Sequence, residues 1–387
     1  MSAFIPLCVP SISGNEWKYV KECLDTAWVS SAGSYVDDFE SKMADYTGAR
    51  HGVACSSGTA ALHVALRVVG VQAGDEVIVP TLTFIATANA VSYLGAKPVF
   101  MDCDEYYNID VDKALQFLEE ETVYRNGATY NRGTERRISA IVPVHVYGNA
   151  ARLSELIGEC RQRNIRIVED ATESLGTVYN QGELKSRHAG TVGDIGCLSF
   201  NGNKVITTGA GGMMLTDSPE FADEARYLTT QAKDDEIMWV HNDVGYNFRL
   251  SNIQAAIGVA QLEQLPNYLA AKKRNYRRYK NRVDEISGLR LCDVPPYADN
   301  NHWMYPLQID KARYGKDRDT LMKNLAAEKI QSRPVWLLNH QQKPYATCQH
   351  YRIEEAYRMW EQTLNLPCGV GLKDEEIDRV IEHLAHG

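Results

Sequence analysis

Ile165-Arg166-Ile167-Val168-Glu169-Asp170-Ala171-Thr172-Glu173 is the stretch that decides the fold. Its apolar run, rich in β-branched residues and too short for a helix, reads as a buried strand over Ile165–Glu169 that stops on two acids. In an open parallel sheet, ligands gather outside the carboxyl ends of the strands, so Asp170 is set to face a ligand rather than the core. Its plainer use would be to cap a following helix.

Outward from this run, His51–Cys55, Glu76–Pro80, Pro98–Asp102, Ile138–Tyr147, Ile195–Phe200 and Gly212–Thr216 read as further strands. Thr59–Val69, opened by Ser56-Ser57-Gly58, and Ile85–Tyr93 read as helices between them. Such alternation predicts parallel strands covered by crossover helices, an α/β domain. Tyr124–Arg137, with Asn126-Gly127 and Asn131-Arg132-Gly133, reads as an exposed loop. Beyond Ser251 a long helix runs from Asn252 into the 280s, with a bend expected at Pro266. A mixed tail follows, with strands at Trp303–Ile309 and Gln331–Trp336 and helices at Arg318–Ala327, Ile353–Gln362 and Asp374–Ala385. The division expected is a large domain over 1–255 and a smaller α+β domain over 256–387.

The chain of 387 residues carries a formal charge of -9, which argues against a nucleic-acid-binding surface. Its basic stretch Lys272, Lys273, Arg274, Arg277, Arg278, Lys280 and Arg282 reads as the solvated face of the long helix. Nine cysteines without a CxxC pair indicate neither a disulfide framework nor a zinc site, and a reducing cytoplasm is the compartment expected. No metal is called for. No signal-peptide pattern and no apolar run of membrane-spanning length is present, so no membrane partner is expected.

Lys204 lies in Ser199-Phe200-Asn201-Gly202-Asn203-Lys204-Val205-Ile206-Thr207-Thr208-Gly209-Ala210-Gly211-Gly212, a loop between two of these strands. A lysine among small polar residues can act as a covalent catalyst through a carbon–nitrogen bond. With pyridoxal phosphate that chemistry needs an acid at the ring nitrogen, a phosphate cradle and a face against the ring. Asp170 is the candidate acid. Ser56-Ser57-Gly58-Thr59, opening a helix, offers amides and a helix dipole to a phosphate. Phe84, after Pro80-Thr81-Leu82-Thr83, is the candidate face. Taken singly, each has an ordinary reading as a surface charge, a cap or core.

Six runs in this order resemble the DegT/DnrJ/EryC1/StrS family of fold-type-I aminotransferases: SSGTAAL at 56–62, PTLTFIATANA at 80–90, PVHVYGNAA at 143–151, VEDATESLG at 168–176, SFNGNKVITTGAGG at 199–212 and GYNFRLSNIQAAIG at 245–258. The resemblance implies a mostly parallel, seven-stranded central sheet. It implies that Lys204 carries pyridoxal 5'-phosphate covalently, with pyridoxamine 5'-phosphate as the form between half-reactions. It further implies Asp170 at the pyridine nitrogen, Gly58, Thr59 and Ser199 on the phosphate, Phe84 over the ring and Glu173 near the ring hydroxyl. Asn247 would reach the phosphate in a neighbouring subunit, making a homodimer with shared sites the smallest functional unit. The partners implied are L-glutamate and a nucleotide-linked keto-sugar. Asp102-Cys103-Asp104, Tyr107-Asn108-Ile109-Asp110, Asn201-Gly202-Asn203-Lys204, Glu173 and Arg333-Pro334-Val335-Trp336 resemble the branch that aminates C4 of UDP-linked 4-keto-6-deoxy-N-acetyl sugars. Ala210, where many members carry Glu, departs from the pattern. Tyr147, Arg249, Arg333, Trp336 and His340 are candidate substrate-site groups. A GDP-perosamine-type enzyme is the alternative. A 3-dehydratase relative would have histidine in place of Lys204, and a non-catalytic regulator would have little use for this set of residues.

Overall fold

Seven strands build the central sheet of the computed structural model, which describes residues 3–235 and 237–386. They are β1 (His51–Cys55), β2 (Glu76–Pro80), β3 (Lys97–Met101), β4 (Arg137–Ile141), β5 (Arg166–Asp170), β6 (Ile195–Ser199) and β7 (Gly212–Thr216). Their order is β1-β7-β6-β5-β4-β2-β3. From β6 to β3 the strands run parallel, and β7 is antiparallel to both its neighbours. Strands covered on both faces need apolar residues at nearly every position. In β2, Val77 and Val79 enter one core with Leu62, Leu66 and Val91, while Ile78 enters the opposite core with Phe117, Leu118 and Leu156.

The helix Asn252–Val283 leaves the sheet, opened by a capping box between Ser251 and Gln254 and continuous through Pro266. It leads to a four-stranded antiparallel sheet of Leu289–Leu291, Tyr305–Ile309, Thr363–Leu366 and Arg333–Pro334. Two strand pairings stitch this part to the first. His350–Tyr351 adds in parallel to β3, and Ala298–Asp299 pairs with Val178–Tyr179. A third stitch is Asp102, fully buried, which accepts the backbone N–H groups of Glu354, Glu355 and Ala356 at 2.8 to 2.9 Å and pairs with Lys113 at 2.7 Å. It thereby caps the helix Glu355–Gln362 from another element.

Four expectations are corrected. Tyr124–Arg137 is no loop: Thr122–Arg125 and Ala128–Asn131 form a hairpin on β4, turned by Asn126 and Gly127 at φ 53° and 79°. The run Ile138–Tyr147 leaves the ladder at Ile141 because Val146–Gly148 makes a tight turn with Tyr147 at φ 58°. Gln331–Trp336 supplies only the two-residue strand Arg333–Pro334. The basic stretch is not wholly solvated: Lys272 is buried and donates to the carbonyls of Trp303 (2.9 Å) and Cys368 (2.6 Å). Among the described residues, no helix is long and apolar enough to cross a membrane.

Candidate active site

The carboxyl ends of β5 and β6, the β6–β7 loop and the first turn of the helix Gly58–Val68 surround a cavity of about 320 Å³. Lys204 enters it from the loop with its side chain only 13% exposed. Its Nζ lies 3.7 Å from Glu173 Oε1 and 4.0 Å from the centre of the Trp303 ring. Burial holds the amine below its ordinary pKa, against the carboxylates of Glu173 and Asp170, which favour the ammonium. The same burial pushes the Glu173 carboxyl up to about 7, opposed by the Lys204 charge and by the Tyr147 N–H on Glu173 Oε2 at 2.8 Å.

Two neighbouring acids end β5, and the alternation of a strand separates their tasks. Glu169 points into the scaffold, where it accepts the N–H groups of Gly190, Val192 and Gly193 and bonds His145 Nε2 at 2.8 Å. His145 Nδ1 accepts from the Ala151 N–H, so the proton sits on Nε2. Asp170 instead lines the cavity. Its backbone is fixed by bonds to Pro143 and His145, and its carboxylate accepts from Thr87 Oγ1 at 2.6 Å and the Thr172 N–H at 3.2 Å.

The helix Gly58–Val68 begins with Ser57 as cap, its hydroxyl accepting the Ala60 N–H. First-turn amides have no carbonyl within their helix to bond, and Gly58 and Thr59 both line the cavity. A Cβ at Gly58 would stand 2.8 Å from Ser199 Cβ and 3.0 Å from Thr172 Cγ2. Only glycine leaves that approach open. Phe84 and Trp336 form the aromatic rim, ring centres 6.5 Å apart, and Phe84 is 53% exposed.

Gly58, Thr59, Phe84, Glu173 and Ser199 meet Lys204 and Asp170 in the cavity, whereas Asn247 is exposed on a segment bridged to Thr230 and does not line it. Trp336 lines the cavity, and the buried Tyr147 stacks behind it at 5.2 Å. His340 lies outside, bonded to Thr81 Oγ1 at 2.6 Å, while its neighbour Asn339 bonds the carbonyls of Thr81 and Thr83. Together they hold the loop that carries Phe84. Arg249 donates to the Ser31 carbonyl, and Arg333 is exposed beside Asn365. Sequence reasoning missed Trp303, whose indole N–H bonds the Asn203 carbonyl at 2.7 Å and whose ring walls Lys204. It also missed Thr172.

This donor set fits pyridoxal phosphate: an amine, a carboxylate fixed across the cavity, a glycine-lined helix start and an aromatic rim. A profile of the DegT/DnrJ/EryC1/StrS aminotransferase family matches residues 10–385. The chain is 38% identical to a GDP-perosamine synthase of Caulobacter vibrioides, covering 98% of this chain and 97% of that protein. It is 36% identical to the putative pyridoxal phosphate-dependent aminotransferase EpsN of Bacillus subtilis, over 99% and 95% of the two chains. Among solved structures, DesI in the presence of its TDP-sugar product superposes with a TM-score of 0.88 at 27% identity, covering 100% of this chain and 93% of that one.

Proposed function

The chain belongs to the DegT/DnrJ/EryC1/StrS aminotransferase family, and from that premise we propose that it moves the amino group of L-glutamate to C4 of a nucleotide-linked 4-keto-6-deoxyhexose. It is a pyridoxal-phosphate-dependent nucleotide-sugar aminotransferase. The observation that carries the reading is the meeting of Lys204, Asp170 and the Gly58 cradle in one cavity.

When bound, pyridoxal phosphate supplies an aldehyde that joins to amines and a ring that accepts the electron pair released at the adjoining carbon. The chain's residues do the rest. Gly58 and Thr59 amides and the Ser199 hydroxyl hold the phosphate at the positive end of the helix. Asp170, oriented by Thr87 and Thr172, would keep a proton on the ring nitrogen. Phe84 covers the ring, and Trp303 and Trp336 exclude water. Lys204 would anchor the cofactor covalently and, once released, would serve as the general base and acid at the substrate carbon. Asn247 serves the site of a neighbouring subunit in a homodimer, with the small domain over 256–387 packed on the large.

Similarity to a GDP-perosamine synthase supports a GDP-linked sugar. The UDP-linked N-acetyl reading rests on Tyr107-Asn108-Ile109-Asp110, Asn201-Gly202-Asn203-Lys204, Glu173 and Arg333-Pro334-Val335-Trp336, while Asp102 is occupied in capping a helix. Lys204→Ala should abolish both turnover and the absorbance band that glutamate bleaches; normal multiple turnover by this variant would refute the assignment. Incubation with glutamate and GDP-, UDP- and dTDP-linked keto-sugars, with products read by NMR, identifies the acceptor.

A further inference from the structure

Glu173 spends its two carboxylate oxygens on different partners. Oε2 accepts the Tyr147 N–H at 2.8 Å, while Oε1 faces Lys204 Nζ at 3.7 Å in a pocket where the Glu173 side chain is 3% exposed. The backbone around it is fixed as well, since Asn301 Nδ2 donates to the Glu173 carbonyl at 2.8 Å. Asn301 Oδ1 also takes the Trp303 N–H at 2.9 Å. Trp303 therefore closes the far side of the amine, its ring centre 4.0 Å from Nζ. The released lysine is confined between one carboxylate oxygen and one aromatic face. A glutamine would hold the Tyr147 turn equally well, so that turn does not explain the acid.

We propose that Glu173 is a catalytic residue: its carboxylate takes the proton that the Lys204 ammonium must shed before acting as a base, and returns it when the amine is charged again. The proposal rests on the aminotransferase reading above. In the forward direction an N–H bond breaks, an O–H bond forms, and the electron pair stays on nitrogen. With the Lys204 and Glu173 side chains 13% and 3% exposed, the carboxylate rather than bulk water is the neighbouring acceptor.

The electrostatics agree with the geometry. Burial pushes the Glu173 carboxyl up and the Lys204 amine down, which brings their proton affinities together. Asp170 faces both groups, Cys8 faces Lys204, and the buried Tyr147 hydroxyl feels Glu173.

The test uses the full-length chain freed of cofactor, with trace acetic anhydride as probe and the pH midpoint of Lys204 acetylation read by mass spectrometry. Glu173→Gln removes the negative charge that stabilises the ammonium, so the midpoint should fall by about one pH unit or more. Coupling is reciprocal. Lys204→Met should therefore raise the Glu173 titration, followed by its infrared carboxyl band, by a similar amount. Midpoints unchanged in both variants would overturn the proposal. In turnover, Glu173→Gln should lower kcat by about 100-fold, with imidazole restoring part of the loss. A fall in kcat that imidazole leaves untouched would mark a structural role and also overturn it. A wild-type chain that takes up no pyridoxal phosphate would sink the aminotransferase reading, while the acetylation result would still decide whether Glu173 and Lys204 are coupled.

Discussion

At Gly58 a side chain has nowhere to go. Gly58→Ala would set a methyl group against Ser199 and Thr172 at 2.8 and 3.0 Å, shifting the helix start proposed to receive the phosphate. Overpacking of this kind costs about 1 to 3 kcal/mol. A loss of that size in the bound state raises Kd for pyridoxal phosphate about 5- to 150-fold, which a fluorescence titration would read; wild-type affinity would contradict the cradle. Asp170→Asn tests the other end of the ring. It keeps the shape and the Thr87 contact but not the charge, so slower turnover with a weakened cofactor band is expected. Lys204, Asp170 and Gly58 were legible in the sequence because each marks a local event: a loop between strands, a strand end, a helix start. Trp303 was not. It reaches Lys204 from 99 positions away in the chain, through the packing of the small sheet, and its neighbours Asn301 and His302 carry no periodic pattern.

Among the elements, the helix Glu355–Gln362 depends on a residue far outside it. Asp102 satisfies three of its N-terminal amides and holds Lys113. Leaving a buried amide without its acceptor costs about 1 to 3 kcal/mol, and Lys113 keeps Glu354 as a partner, so Asp102→Ala should lower the stability measured by urea unfolding by at least about that much. Burial alone would raise the Asp102 carboxyl, but Lys113 and the three amides outweigh it and hold the group below its ordinary value. A depressed native pKa gives stability that is full above the unfolded value, about 4, and lost as pH falls through the native one. The wild type should therefore lose stability below about pH 4 more steeply than Asp102→Asn; parallel acid curves would deny the cap its charge. The capping role was hidden from the sequence, where Asp102 reads as the end of a strand and the helix lies some 250 residues later. The hairpin Thr122–Asn131 was hidden for another reason. Asn126-Gly127 is the right turn for it, but Val123 and Tyr130 sit among polar residues, and no alternation flagged the strands.

For the molecule as a whole, the alternation of apolar runs and helices let an α/β domain of parallel strands be read before any contact was known, but it does not encode the order β1-β7-β6-β5-β4-β2-β3 or the antiparallel β7. Nor does alternation encode the outward face. Ile237, Met238, Trp239 and Val244 are 86, 72, 69 and 72% exposed on the segment that leads to Asn247. The proposed homodimer would cover these exposed apolar groups. The 43.4 kDa chain is thus expected to sediment at twice its mass, and Trp239→Asp to weaken association and lower activity together. A fully active monomer would contradict shared sites.

The pairing of His350–Tyr351 with β3 has a further consequence for how the chain can be cut or made. That short strand covers the N–H and C=O groups of Phe100 and Met101, which would otherwise be an open parallel edge, a template for aggregation. A fragment ending before residue 350 keeps the whole seven-stranded sheet yet exposes its rim, and should precipitate where the full chain stays dispersed. During synthesis, too, the rim remains bare until about nine-tenths of the 387-residue chain has left the ribosome.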